Sequence, residues 1–345
     1  MSRPGGPDGA PRVVALGGGH GLAASLAALR RLTPYVTAVV TVADDGGSSG
    51  RLRRELGALP PGDLRMALAA LVGDDEWGRT WADVLQHRFG GTGALAGHPV
   101  GNLLLTGLAE TLGDPVAALD TVARMVGAVG RVLPMSPQPL EISAEVTGLD
   151  DTDPDRVRRI RGQVAVATTV GRVASVSLLP AAPPACAEAV AAVASADLVV
   201  LGPGSWFTSV LPHVLVPDLL GALVGTRARR VVALNLAAQP GETAGFSPQQ
   251  YLEVLTAHAP GLRVDAVVAD TDAVTDPRGL MTGVSALGAR LVLAPVAAGD
   301  GTPRHDPQRL AAAFAQVLGE DPAAVDRTAG LVHDGGREAG VRQWR

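Results

Sequence analysis

Val13-Val14-Ala15-Leu16-Gly17-Gly18-Gly19-His20-Gly21-Leu22 is the stretch on which the reading of this chain turns. Four apolar residues run without alternation into a cluster of glycines. An apolar pattern then extends from Leu22 to about Leu32, and Pro34 ends it. A continuous apolar run bounded by glycine fits a strand buried on both faces, as in parallel sheets. A second such run, Val36 to Ala43, stops at Asp44-Asp45. Strand, glycine turn, helix and strand make a βαβ unit, whose crossover is right-handed almost by rule. The glycines bring backbone N–H groups to a helix N-terminus, where free donors and the helix dipole both favour an anion. Leu22 stands where G-x-G-x-x-G needs its last glycine, so a tight turn without a ligand is the competing reading.

The same alternation continues on both sides of a break. A loop from Gly46 to Gly62 carries a short helical piece at Arg51 to Leu56. Asp63, after Pro60-Pro61-Gly62, caps a helix over Leu64 to Val72. Helical patterns follow at Glu76 to Phe89, Gly101 to Leu112 and Pro115 to Val126, with a glycine-rich stretch at Gly90 to Val100. From Arg131 to Pro180 the pattern changes. Short β-branched runs (Leu140 to Thr147, Val164 to Thr169, Arg172 to Leu179) alternate with charged and turn residues, which predicts a small antiparallel β subdomain over 134–184. The α/β pattern resumes with a helix at Ala187 to Ala194 and strands at Asp197 to Leu201, Arg230 to Leu236, Val264 to Ala269 and Arg290 to Pro295. Helices are expected through Val210 to Leu223, at Pro248 to His258 and at Pro307 to Leu318. The expected fold is therefore a Rossmann-like, doubly wound, mainly parallel sheet with a small inserted β subdomain. The core spans 12–133 and 185–320, and the tails 1–11 and 321–345 are read as disordered.

Four of these strands end in polar or glycine loops, and parallel strands put such ends on one edge of the sheet, where ligands bind. Gly18, Gly19, His20 and Gly21 form the first loop. Asp44-Asp45-Gly46-Gly47-Ser48-Ser49-Gly50-Arg51 forms the second. An acid at the end of the second strand holds a ribose hydroxyl in many such sheets. Two adjacent acids also suit Mg²⁺ shared with ligand phosphates, while Asp-Gly alone is turn chemistry. Gly202-Pro203-Gly204-Ser205 and Asn235 to Glu242, with Gln239 and Glu242 as readers of sugar or base edges, complete the set. Asn102, between Gly101 and Leu103, donates to a phosphate or caps its helix. The chain has no lysine, so Arg51, Arg53 or Arg65 must supply any cation to a diphosphate, with Arg304 and His305 at the mouth.

Composition excludes several classes. The 345 residues are 47 % hydrophobic and 18 % charged, with net charge −5, so no broad basic surface for nucleic acid is expected. Missing lysine rules out a P-loop and a Schiff base. No G-x-S-x-G or H-E-x-x-H occurs. Cys186, the single cysteine, forms no internal disulfide and is read as inert. No signal peptide and no apolar run of membrane-spanning length is found, which predicts a cytoplasmic protein.

Longer strings carry a resemblance. Gly17-Gly18-Gly19-His20-Gly21-Leu22, Thr41-Val42-Ala43 with the acidic loop through Leu52, and Pro60-Pro61-Gly62-Asp63-Leu64-Arg65 resemble the gluconeogenesis-factor (YvcK-like) group of the CofD-like superfamily. So do Ala96-Gly97-His98-Pro99-Val100-Gly101-Asn102, Leu201 to Ser205 and Gln239-Pro240-Gly241-Glu242-Thr243. The resemblance runs over roughly residues 12 to 318. His20 and Ala237-Ala238 depart from the commonest pattern, which has Thr and Met-Thr there, and His20 fits an actinobacterial form. The resemblance implies a Rossmann-like fold and binding of a UDP-sugar such as UDP-N-acetylglucosamine. It also implies a regulatory role, rather than an enzymatic one, in cell shape and envelope (peptidoglycan) synthesis on gluconeogenic carbon. On that reading Gly18 to Gly21, Asp44, Asp45, Ser48, Ser49, Arg53, Asp63, Asn102, Gly202, Gly204, Ser205, Gln239, Glu242 and Arg304 line the ligand, with Mg²⁺ at Asp44 and Asp45. A homodimer is compatible with it, and no protein partner is read from the sequence. Two alternatives stand beside it. One is a Mg²⁺-dependent 2-phospho-lactate-type transferase, with a nucleotide diphosphate donor and a deazaflavin acceptor for which Trp206 and Phe207 are candidate walls. The other is an NAD(P)-binding protein.

Overall fold

The computed structural model describes residue 6 and residues 9–319. In chain order the elements are β1 (Val13–Gly17), α1 (Gly19–Leu29), β2 (Val36–Val40), α2 (Gly47–Leu56), α3 (Pro61–Leu71), α4 (Glu76–Gln86), α5 (Val100–Leu112), α6 (Pro115–Val126) and β3 (Arg131–Pro134). Then come β4 (Glu141–Thr147), β5 (Arg158–Arg161), α7 (Gln163–Ala167), β6 (Arg172–Leu179), α8 (Ala187–Ala194), β7 (Leu198–Leu201) and α9 (Pro217–Gly225). The chain closes with β8 (Arg229–Ala233), α10 (Pro248–His258), β9 (Ala266–Asp270), α11 (Pro277–Ala286), β10 (Arg290–Ala294) and α12 (Pro307–Leu318).

Seven strands form one sheet in the order β10-β9-β8-β7-β1-β2-β3, and every neighbouring pair is parallel. The chain runs outward from β1 through β2 to β3, returns to β7 on the other side of β1, and continues outward to β10. The order thus reverses between β1 and β7, the switch point of a doubly wound sheet. Helix α1 packs on α3 and α12, whereas α8 packs on α9 and α10 on α11. All residues of β1 and β7 are buried, which explains apolar runs without alternation. The remaining strands make a separate antiparallel sheet, β5-β4-β6.

Five local readings are corrected. Helix α2 starts at Gly47, not near Arg51. The Ser48 and Ser49 hydroxyls bond to distant groups instead of their own backbone, so they do not compete with the helix. Residues 163–167 are helical rather than extended, because the Asp45 carboxylate accepts the Val164 N–H at 3.0 Å from 119 residues away. Arg131–Pro134 belongs to the parallel sheet beside β2. The segment expected as one helix from Val210 begins as a π-helical turn at Trp206–Val210 and a 3-10 turn at Leu211–Leu215, then bends 79° into α9, with prolines at both breaks. Helix α11 was not anticipated; Asp276 caps it and Pro277 opens it. Residues 321–345 and most of 1–11, read as tails, lie outside the described residues. Among the described residues no single helix is long and apolar enough to cross a membrane.

Candidate functional site

The two glycine loops meet at the switch point. Gly21, in the first turn of α1, faces the loop after β7, where a β-carbon would overlap the Pro203 carbonyl and lie 2.5 Å from the Gly204 Cα. Asn235, beyond β8, grips Gly204 from the far side. It accepts the Gly204 N–H at 2.8 Å and donates to the Gly204 carbonyl at 2.9 Å. Gly202 and Ser205 frame this loop, and the Gly202 carbonyl accepts the Ser25 hydroxyl of α1 at 2.8 Å. Gly18 and Gly19 open α1 with no side-chain cap, and His20 is exposed beside them.

Two carboxylates stand at this loop, but they are not the adjacent pair. A β-carbon on Gly18 would overlap an Asp63 carboxylate oxygen, and one on Gly62 would come within 3.0 Å of Asp44 Oδ2. Burial pushes the Asp63 carboxyl up to about 7, and the charge of Asp44 adds to the shift; the Gly19 N–H and the Arg65 charge oppose it. Asp44 also accepts the Gly46 N–H at 2.9 Å. Asp45 turns away to cap α7. Asp44 and Asp63 thus stand beside the glycine loop, while one oxygen of Asp45 is engaged by α7. Among the described residues no group of three or more acidic, His or Cys side chains is placed to hold a metal.

A buried polar chain joins α2 to α3 and α5. Arg65 Nε donates to Asn102 Oδ1 at 2.9 Å, Asn102 Nδ2 donates to Ser48 Oγ at 2.9 Å, and Ser48 Oγ is 2.7 Å from His98 Nδ1. Ser49 Oγ accepts the Gly62 N–H at 3.0 Å. Asn102 thus links Arg65 to Ser48 rather than capping its helix. Burial lowers Arg65 to about 10, with the Arg88 charge contributing, and His98 is lowered by burial and by Arg51.

Other expected ligand residues have local duties. Arg53 donates to the Leu140 carbonyl ahead of β4, and Arg51 to the Ala96 carbonyl at 2.7 Å. The Glu242 carboxylate accepts the Phe207 N–H at 3.0 Å and the Thr208 hydroxyl at 2.6 Å, so it fixes the π-helical turn; burial raises its pKa. Gln239 holds its loop through its main-chain N–H on Thr243 Oγ1 at 2.9 Å, and its buried Oε1 has no partner. Arg304 pairs with Asp300 in an exposed turn after β10. That strand is four places from β1, about 19 Å away at the usual strand spacing. Gly18 to Gly21, Gly202 to Ser205, Asp44 and Asp63 come together, with Ser48, Ser49 and Asn102 immediately behind. Glu242 borders a neighbouring cleft of about 650 Å³ between residues 167–172 and 240–246, and Gln239 is not in its lining. Trp206 and Phe207 are fully buried. The reach of Asp63 to the glycine loop was hidden in the sequence, which shows only a helix start there.

Comparison with known proteins agrees with this architecture. The family model described as 2-phospho-L-lactate transferase CofD matches residues 13–282. The chain is 59 % identical over 340 residues to a gluconeogenesis factor, so named provisionally, of Mycobacterium tuberculosis, covering 96 % of this chain and 99 % of that protein. It is 33 % identical to the gluconeogenesis factor of Listeria monocytogenes, covering 89 % and 96 %. Among solved structures it is similar to a UPF0052 family member from Bacillus halodurans, with TM-score 0.77, 31 % identity, and coverage of 89 % of this chain and 98 % of that one. The extent of these matches, through the switch-point loops and the strands that carry them, makes the chain a member of the gluconeogenesis-factor family of CofD-like proteins.

Proposed function

We propose that the crevice between β1 and β7 binds a nucleoside diphosphate sugar of the UDP-N-acetylglucosamine kind. On this reading the chain is a cytoplasmic regulator that couples the level of that sugar to cell shape and envelope (peptidoglycan) synthesis on gluconeogenic carbon. The observation that supports it is the apposition of two side-chain-free loops at the switch point, where Gly21 meets Pro203 and Gly204. A diphosphate needs donors that approach without side-chain bulk, and a helix start with glycine at its N-cap provides them beyond the Gly19 N–H, which Asp63 engages. The neighbouring charge is the obstacle, because Asp63 and Asp44 already stand there. Mg²⁺ fits that donor set: it takes one or two carboxylates and completes its shell with water and phosphate oxygens. Asp44 and Asp63 would hold it, and it would neutralise the diphosphate.

Thermal shift against UDP-sugars, NAD, GDP and a deazaflavin, with and without Mg²⁺, tests the reading. UDP-N-acetylglucosamine with Mg²⁺ should raise Tm by at least about 3 °C at a hundredfold excess over Kd. Stabilisation by NAD alone would contradict it. The match to the CofD model favours a second reading, transfer to a deazaflavin acceptor. Against it, the two aromatic residues considered as acceptor walls are buried. Product formation from a deazaflavin and a nucleotide-activated phospho-lactate would decide for that reading.

A further inference from the structure

Arg65 is an unusual choice where it stands. Its side chain is only 4 % exposed, its Nη1 has no partner, and no carboxylate pairs with it among the described residues. The residue that meets its Nε is Asn102, a neutral amide, buried to 1 % exposure. A buried guanidinium without a paired carboxylate is costly; the charge of Asp63 helps it only from beyond ion-pair distance, and an aspartate of nearly the same shape at 102 would relieve more of the cost. Stability alone does not account for the amide.

The direction of the hydrogen bonds does account for it. Arginine donates and never accepts, so Asn102 must turn its oxygen to Arg65 and its NH₂ to Ser48. Ser48 Oγ then accepts from Asn102. Its own proton has one remaining neighbour, His98 Nδ1 at 2.7 Å, and would otherwise be buried without an acceptor. His98 Nδ1 is therefore the acceptor, and the ring proton sits on Nε2, which has no partner among the described residues. We infer that Arg65, Asn102 and Ser48 form a one-way relay that holds His98 in its neutral Nε2–H form, presenting a donor beside the first turn of α2 to an acceptor oxygen of an anionic ligand. The lowered basicity of His98, from burial and the Arg51 charge, keeps the ring neutral as the relay requires. Arg65, Asn102 and Ser48 are positioning residues, and His98 is the group that meets the ligand. This last step rests on the nucleotide-sugar reading; the relay itself does not.

Asn102→Asp tests the direction. The carboxylate accepts from both Arg65 and Ser48, so Ser48 Oγ must now accept from His98 Nδ1–H, and Nε2 becomes an acceptor. The variant gains a counter-charge for Arg65 and should fold with a Tm no lower than that of the parent. Nitrogen-15 shifts of the His98 ring in ligand-free protein report the tautomer. The relay predicts Nε2–H in the parent and Nδ1–H in Asn102→Asp, while Ser48→Ala should give a mixture. An Nδ1–H parent, or an unchanged tautomer in a folded Asn102→Asp, overturns it. In calorimetry with UDP-N-acetylglucosamine, Asn102→Asp should bind about tenfold more weakly than the parent, the worth of one lost hydrogen bond. Equal affinity with a flipped tautomer overturns the ligand-facing role of His98. If the parent does not bind this sugar nucleotide, the nucleotide-sugar reading and the ligand-facing role fail together, and the two tautomers still decide the relay.

Discussion

Gly21 and Asp63 show how single residues set the terms of this site. A β-carbon at Gly21 would be driven into the Pro203 carbonyl, and neither backbone can yield without opening the seam between β1 and β7. Gly21→Ala should cost about 1–3 kcal/mol of stability, as overpacking of a close contact does, and should abolish ligand-induced stabilisation. An unchanged urea midpoint would show that the two loops are not in contact. Asp63 and His213 give a test in pH. The folded pKa of Asp63 is raised to about 7 from 3.8, so its proton stabilises the fold below 3.8, and that contribution is lost as pH rises through 7. His213, fully buried between the Val39 and Val210 carbonyls, is lowered by burial to about 4 from 6.5. It contributes stability above 6.5 that is lost as pH falls toward 4. Each effect is on the order of 3 kcal/mol, and they oppose each other over nearly the same range. Wild type without Mg²⁺ should therefore change little in stability between pH 7 and 5, while Asp63→Asn should lose stability steeply on acidification. Urea midpoints measured across that range would detect the difference, and parallel curves for the two proteins would refute it.

Elements of this fold divide into those whose cause is local and those whose cause is remote. The central strands were legible because they are buried on both faces, and the apolar run records that directly. Helix α11 was not anticipated, although its cause is local, with Asp276 and Pro277 at its start and Leu280 and Val284 on its buried face. Helix α7 was not legible at all. Its five residues, Gln-Val-Ala-Val-Ala, favour a strand locally, and the cap that turns them is Asp45. This contact also ties the antiparallel sheet to the loop after β2, and Arg53 makes a second tie through the Leu140 carbonyl. Asp45→Ala should raise amide exchange at Val164 to Thr168 with a global loss of about 1 kcal/mol, the worth of a helix cap. Exchange that stays at the parent rate would mean that the cap is not what holds α7.

For the molecule as a whole, strand order explains why the site was partly visible beforehand. Loops that leave parallel strands share an edge, so Gly18 to Gly21, Asp44 and Gly202 to Ser205 converge as their positions imply. Side-chain commitments do not follow from strand order. Glu242 fixes a turn, Arg53 reaches the antiparallel sheet, and Asp63 rather than Asp45 stands beside Asp44, because each is decided by partners far away in the chain. Arg304 is set apart by topology, at the far strand of the sheet. The most direct test is a crystal structure with UDP-N-acetylglucosamine and Mg²⁺. It should show the diphosphate within hydrogen-bonding distance of backbone N–H groups at Gly19 to Gly21 or Gly204 to Ser205, with the cation on Asp44 and Asp63. A diphosphate seated instead in the apolar groove between Leu56, Leu105 and Pro139, or wholly within the cleft at residues 167–172, would contradict the switch-point site.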